Sequence, residues 1–211
     1  AYSVARIRAV ERNLIDRQKL DRMVEAKSPD EALKVLLDAG YGSPGGDVLN
    51  VYEYETLLKE ESKKVYSLLK EIAPQPEVFD MFLQKNDYHN AKVILKSEFL
   101  GGKDNDDILI DSASIPVNKL KIMIRERKMK EMPPIMREAI EECIDTFNRT
   151  GDPQSIDLIL DRAAYANMVK LAEATKEPFI IELVRIMVDL TNLKIFFRIK
   201  AMKKSWDFLQ K

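Results

Sequence analysis

The chain has 211 residues, 45% hydrophobic and 33% charged, which is enough apolar material for one large or two small domains. The balance of 34 basic to 35 acidic residues excludes a global attraction to nucleic acid or anionic membrane and leaves room only for a local patch. Cys143 is the only cysteine, so an internal disulfide is excluded and a reducing compartment is implied.

Leu, Ile, Met, Ala, Glu and Lys dominate, with only 7 glycines and 9 prolines as punctuation, a helical composition. From the start, Val4, Ile7, Val10 and Leu14 form one helical stripe, with Arg6 and Arg8 beside it; no signal peptide is read there, and a start at Ala1 implies that residues are missing before it. Ser28-Pro29-Asp30-Glu31 predicts a helix start, with Ser28 as cap, Pro29 pre-set for the first turn and Glu31 completing a capping box. That helix carries Ala32, Leu33, Leu36 and Leu37 and stops at Gly40. A long helix is expected from Asp47 to Ala73, ended by Pro74, followed by a pair over Glu77 to Asn86 and Tyr88 to Phe99. The polar stretch Gly101 to Ser114, with Asp104, Asp106, Asp107 and Asp111, is the best loop candidate. Pro116 opens a basic helix to about Lys130. Pro133-Pro134 opens the next, with the apolar face Met136, Ala139, Ile140, Cys143 and Phe147. Asp152-Pro153 starts a helix to Thr175, and Pro178 starts a final one that runs past Phe197. Within it, the apolar stretch Phe179 to Leu190 is broken by Glu182, Arg185 and Asp189, short of the roughly 20 apolar residues that span a bilayer. No strand is expected, so the fold class is all-α.

One pattern occurs twice. Asp87-Tyr88-His89-Asn90-Ala91-Lys92 parallels Asp189-Leu190-Thr191-Asn192-Leu193-Lys194, and the same spacing pairs Pro76 with Pro178, Phe79 with Ile181, Met81 with Leu183 and Phe82 with Val184. Tyr66 falls near the counterpart position of Tyr165. We read two copies of one helical module. The divisions expected are 1–46 for N-terminal helices of the first module, 47–115 for that module with its acidic loop 101–115, 116–152 for connecting helices, and 153–211 for the second module with the start of a third. Within each copy Asp and Asn three apart share a helical face. Asp87, Asn90, Asp189 and Asn192 are therefore either a helix start, with Asp as cap, or a buried polar latch that fixes how helices cross; a buried Asp would need Lys, Arg or backbone partners.

Reactive constellations are not read. His89 is the only histidine, which leaves no His-rich metal site and no repeated triad, and Cys143 lies on an apolar helix face as an inert thiol. Gly45-Gly46 and Gly101-Gly102 are not followed by a phosphate-loop pattern, and Asp104, Asp106 and Asp107 lack the glycine and terminal Glu of a calcium loop. No catalytic residue, cofactor or metal is expected. The rival signal is basic: Lys119, Lys121, Arg125, Arg127, Lys128 and Lys130 against Glu126 form a candidate contact patch for phosphate, lipid head groups or an acidic partner, or a solvated face.

The opening Ala5-Arg6-Ile7-Arg8-Ala9-Val10-Glu11, preceded by Tyr2, resembles the "ARIRAxE" start of the C subunits of V/A-type rotary ATPases, a family that includes the eukaryotic d subunit. Ala32 to Leu37 with Gly40-Tyr41, the two Asp-x-x-Asn-x-Lys modules, and Ile156-Asp157 through Asp161 to Tyr165 are similar to the family's further stretches, in the same order. The resemblance implies a funnel of three related helical modules that receives the foot of the central stalk and rests on the membrane rotor ring. It implies a peripheral, non-catalytic role at the cytoplasmic face, coupling ATP hydrolysis or synthesis to proton or sodium transport. It also implies a third module, expected to begin at Trp206, Phe208 and Leu209, so that two of three are present. A helical-repeat scaffold is the alternative, and a nucleic-acid binder using Lys119 to Lys130 the less favoured one; nucleic acid is not an expected partner.

Overall fold

The computed structural model describes residues 1–42, 50–101 and 106–203. The expected helix start at Asp47, the Gly45-Gly46 pair, Asp104, and the Trp206, Phe208 and Leu209 cluster lie outside the described residues. Among the described residues the regular structure is helical, with no strand. The helices are α1 (Tyr2–Glu11), α2 (Arg17–Val24), α3 (Pro29–Asp38), α4 (Tyr54–Ile72), α5 (Asp80–Leu100), α6 (Val117–Arg125), α7 (Pro134–Thr150), α8 (Gln154–Thr175) and α9 (Pro178–Ala201). They fall into two compact units, 1–76 and 77–211, and this boundary lies inside the expected module 47–115: α4 belongs to the first unit and α5 to the second.

The first unit is pinned by local signals. The Ser28 side chain accepts the Glu31 N–H at 3.2 Å, while the Glu31 carboxylate accepts the Lys27 N–H at 2.8 Å, one residue before the capping residue. At the other end of α3, the Tyr41 N–H donates to the Leu36 carbonyl and the Gly40 N–H to the Leu37 carbonyl, with Gly40 at a φ of 89°. This left-handed closure satisfies the last carbonyls and explains the stop at Gly40. Leu33, Leu36 and Leu57 form the buried core, with Ile15, Met23, Tyr41 and Val51 against it. Gly42 passes so close that a Cβ would lie 3.1 Å from a Leu57 methyl, and its φ of 95° already favours glycine. The stripe Val4, Ile7, Val10 and Leu14 is exposed. Polar ties hold α1 instead: the Ser3 hydroxyl donates to the Ile72 carbonyl at 2.7 Å, and Arg6 pairs with Glu71 at 2.5 Å.

The second unit contains the larger core. Tyr88, Ala91, Ile94 and Leu95 of α5 meet Leu120 and Ile124 of α6, Met136, Ile140 and Cys143 of α7, and Ile156 and Leu160 of α8. Phe99 and Phe147 stack with ring centroids 4.4 Å apart, closing the α5 end against α7. A second cluster joins Met81 to Met168, Ala172 and Val184, with Ile180 and Met187 against it. Burying side chains of this size removes about 1.5–3 kcal/mol of unfavourable hydration each, which makes this unit the structural body of the chain.

Two expectations are corrected here. The pair over 77–99 is one helix, α5, entered through a 3-10 turn at Pro76–Phe79. No proline or glycine occurs between Asp80 and Leu100, so nothing breaks the i to i−4 ladder at Asp87. The basic helix ends at Arg125 rather than near Lys130. Arg127 takes the left-handed conformation at a φ of 56°, its N–H donates to the Ile124 carbonyl, and the Lys128 N–H donates to the Met123 carbonyl. This closure, usually made by glycine, turns the chain out of the helix.

Candidate functional site

The most organised polar cluster is a row along α5 that holds the returning segment 108–115. Asn90 is wholly buried; its side-chain amide donates to the Ile110 carbonyl at 2.8 Å, and its carbonyl accepts the Ile110 N–H at 2.8 Å. Asp87, only 2% exposed, accepts the Ile115 N–H at 2.9 Å and the Ser114 hydroxyl. On the flanking positions, the Asn86 amide donates to the Ser112 carbonyl at 2.7 Å, and His89 Nε2 lies 3.0 Å from the Ile108 carbonyl, to which it donates. Four side chains within one and a half turns thus bond backbone groups of the returning segment, which has no regular structure after Ile108.

Burial pushes the Asp87 carboxyl up to about 6, against the Ser114 hydroxyl and Ile115 N–H bonds that favour its charged form. The neighbouring Tyr88 hydroxyl is raised too, first by burial and then by the Asp87 charge, and its oxygen is buried without a hydrogen-bond partner in the described structure. Asp87 caps nothing: it is one third of the way along α5, and Asp189 lies inside α9. The Asp/Asn pair on α5 is buried, but its partners are a connecting segment rather than a neighbouring helix. The pair on α9 is different, because Asp189 and Asn192 are both exposed. Asn86 and His89 were not legible as clamp members, since their partners are backbone carbonyls that carry no sequence signature.

Further along α5, Lys92 pairs with Asp161 and Lys96 with Asp157, each at 2.6 Å, fastening α5 to α8. The Gln84 side-chain oxygen accepts the Asn167 amide at 2.6 Å on the same interface. A groove of about 670 Å³ opens between α8 and α9, lined among others by Leu158, Tyr165, Thr191, Asn192, Ile195 and Met202.

The basic patch is locally balanced. Lys119 pairs with Glu131 at 2.8 Å, Lys121 with Asp106 at 2.5 Å, Arg127 with Glu98 at 2.6 Å and Lys128 with Glu126 at 2.5 Å. The helix end at Arg125 also divides it, leaving Lys119, Lys121 and Arg125 on α6 and Arg127, Lys128 and Lys130 on the turn beyond. Asp106 is thereby committed to a lysine, and no group of three or more His, Cys, Asp or Glu among the described residues is placed to hold a metal ion. Cys143 is buried in the core, 3.9 Å from the Ile156 carbonyl, and its thiol is pushed up to about 12 by burial and then by Glu142 and Asp157.

The fold and the clamp together define an all-helical protein in which buried Asp87 and Asn90 hold the backbone of a connecting segment. The family model described as ATP synthase (C/AC39) subunit matches residues 3–211, and the chain belongs to that family. It is 28% identical to the C subunit of the V-type sodium ATPase of Enterococcus hirae over 89% of this chain and 56% of that protein. It is 27% identical to the C subunit of the A-type ATP synthase of Methanocaldococcus jannaschii over 100% of this chain and 57% of that one, and 26% identical to that of Pyrococcus horikoshii over 95% and 56%. The chain thus spans little more than half the length of the curated relatives it matches. No solved structure gives a significant match.

Proposed function

We propose that this chain is a non-catalytic part of a rotary V/A-type ATPase or ATP synthase that joins the central stalk to the membrane rotor ring. It would couple ATP hydrolysis or synthesis to proton or sodium transport without making or breaking a bond itself. The observation that carries this reading is the family match over nearly the whole chain, together with relatives named as the C subunits of a V-type sodium ATPase and of A-type ATP synthases. The structure supports it in three ways. A torque-bearing body must deform less than the interfaces it joins, and the close-packed core of α5 to α8 supplies that stiffness. The one histidine is engaged with a backbone carbonyl and the one thiol is held protonated in the core, so neither is offered as a reactive group. No helix among the described residues is long and apolar enough to cross a membrane, as a peripheral subunit requires.

Apolar side chains left uncovered, such as Val4 and Val10 on α1 and Phe179 on α9, are the surfaces offered to stalk and ring. The modules are proposed as sectors of a funnel around the stalk foot. The test is affinity capture of the tagged protein from native membranes. Co-recovery of ring and stalk proteins is the expected result, and capture of neither from membranes that contain the assembled complex overturns the proposal.

A further inference from the structure

Among the described residues, Asp87 is the only Asp, Glu, Lys, Arg or His side chain that is buried. Its two partners are neutral: the Ser114 hydroxyl on one carboxyl oxygen and the Ile115 N–H on the other. The charges on the elements packed against α5 are engaged elsewhere. Asp157 and Asp161 of α8 pair with Lys96 and Lys92 of α5, Lys119 and Lys121 of α6 pair with Glu131 and Asp106, and Lys85 lies over the Tyr165 ring. The Tyr88 hydroxyl beside Asp87 feels its charge but does not offset it. An ionised carboxyl at this depth with no countercharge is costly, and the cost is relieved either by a proton or by contact with water. Ser114 suits both outcomes, because a hydroxyl donates to a carboxylate and accepts from a carboxylic acid.

Segment 108–115 is fastened at four points, and only one of them depends on charge. Asn90 and Asn86 hold Ile110 and Ser112 through amides, which do not titrate. His89 holds the Ile108 carbonyl through Nε2, which carries a hydrogen both in the imidazolium and in the matching neutral tautomer. The fourth point is Asp87, and it lies where the segment meets α6. Pro116 follows at once as the cap of that helix, its carbonyl accepting the Leu120 N–H at 3.0 Å. Ser114 itself is exposed, so a short outward movement here brings water to the carboxyl without parting the core.

We propose that the contact of Asp87 with Ser114 and Ile115 is a proton-controlled joint between the returning segment and α6. It stays closed while Asp87 carries a proton and opens far more often, with the rest of the unit folded, once the carboxyl ionises. Burial holds the closed carboxyl up to about 6, whereas an opened joint returns it toward 3.8. The closed state therefore binds the proton more tightly. Closure is favoured in full below about pH 4 and weakens as pH rises through about 6, by at most about a hundredfold in the open-to-closed ratio. The element whose attachment changes is the start of α6, which bears Lys119 and Lys121.

The test follows the full 211-residue chain by NMR across this pH range, reading the Asp87 carboxyl carbon and the exchange of the Ile115 and Ile110 amides, corrected for the intrinsic pH dependence of exchange. The expected result is a carboxyl midpoint near 6 and an Ile115 protection that falls by about thirtyfold or more between pH 4.5 and 7.5, with Ile110 unchanged. In Asp87→Asn, whose amide can keep both bonds, Ile115 protection should not vary with pH. Ser114→Ala removes a donor to the charged form and should move the midpoint up, while His89→Gln should leave it in place. A pH-independent Ile115 in the parent overturns the proposal, as does a parallel loss at Ile110, which would mean that the whole unit opens. A response that vanishes in His89→Gln assigns it to the imidazole and overturns it too. Should Asp87→Asn fail to fold, Ser114→Ala decides, and an unmoved midpoint there is the refuting result. Membership of the rotary complex is tested separately, by the membrane capture.

Discussion

Helices α5 and α9 carry the same Asp-x-x-Asn-x-Lys pattern and run to similar lengths, yet they live in different surroundings. In α5 the pattern is sealed beneath returning chain and surrounded by α6, α7 and α8; in α9 it faces outward beside exposed leucines and a phenylalanine. The difference teaches that the pattern does not by itself decide burial: it holds backbone on α5, where segment 108–115 returns along the helix, and stands exposed on α9 among the described residues. An Asn is soluble in either place, but once covered it must be matched on both its donor and its acceptor side.

The contrast breaks first at the apolar positions. Leu95→Ala is expected to lower stability by about 3 kcal/mol through lost burial and a cavity, whereas Phe197→Ala, on the open face, should cost about 0.5 kcal/mol or less. Urea midpoints measured side by side decide this, and equal losses would mean that α9 is covered after all. Next comes the amide. Asn90→Ala leaves the part-buried Ile110 N–H and C=O unmatched and should cost about 1–3 kcal/mol, while Asn192→Ala should be near neutral under the same denaturation.

The smallest expected effect sharpens the contrast through pH. Asp87 has a folded value of about 6, raised from 3.8, so the folded state binds its proton more tightly than the unfolded chain does. Its contribution is fully present below about pH 4 and is lost as pH rises through about 6. Relative to Asp87→Asn, the parent should lose on the order of 2 kcal/mol between pH 4 and 7.5, with no such difference for Asp189→Asn. Chemical denaturation of both pairs across that range checks it; a parent that gains stability relative to Asp87→Asn would reverse the assigned sign.

Much of the helical frame was legible because proline and glycine mark its ends. Pro29, Pro134 and Pro178 each stand at the first helical position, and Gly40 and Gly151 close helices in left-handed turns. Where other residues did this work, the reading went astray. Arg127 ends α6 in a conformation that nothing in the basic run announces, so the patch looked like one continuous face. The Asp-x-x-Asn spacing imitates a capping signal, which split α5 in two, although the absence of a breaker argued for continuity. Pairing the two motifs set Asp87 and Asn90 beside Asp189 and Asn192, which lie on α5 and α9. Their burial was not readable, because partners such as the Ile110 and Ile115 backbone groups are identical for every residue type.

The Phe99–Phe147 stack and the sheltered Cys143 lie in the same core, and the latter has a practical consequence. A lone sulfhydryl kept neutral and covered by α8 reacts with alkylating reagents only when that core parts. Its modification rate is therefore a built-in clock for the opening of the α7–α8 contact, readable by mass spectrometry without any added label.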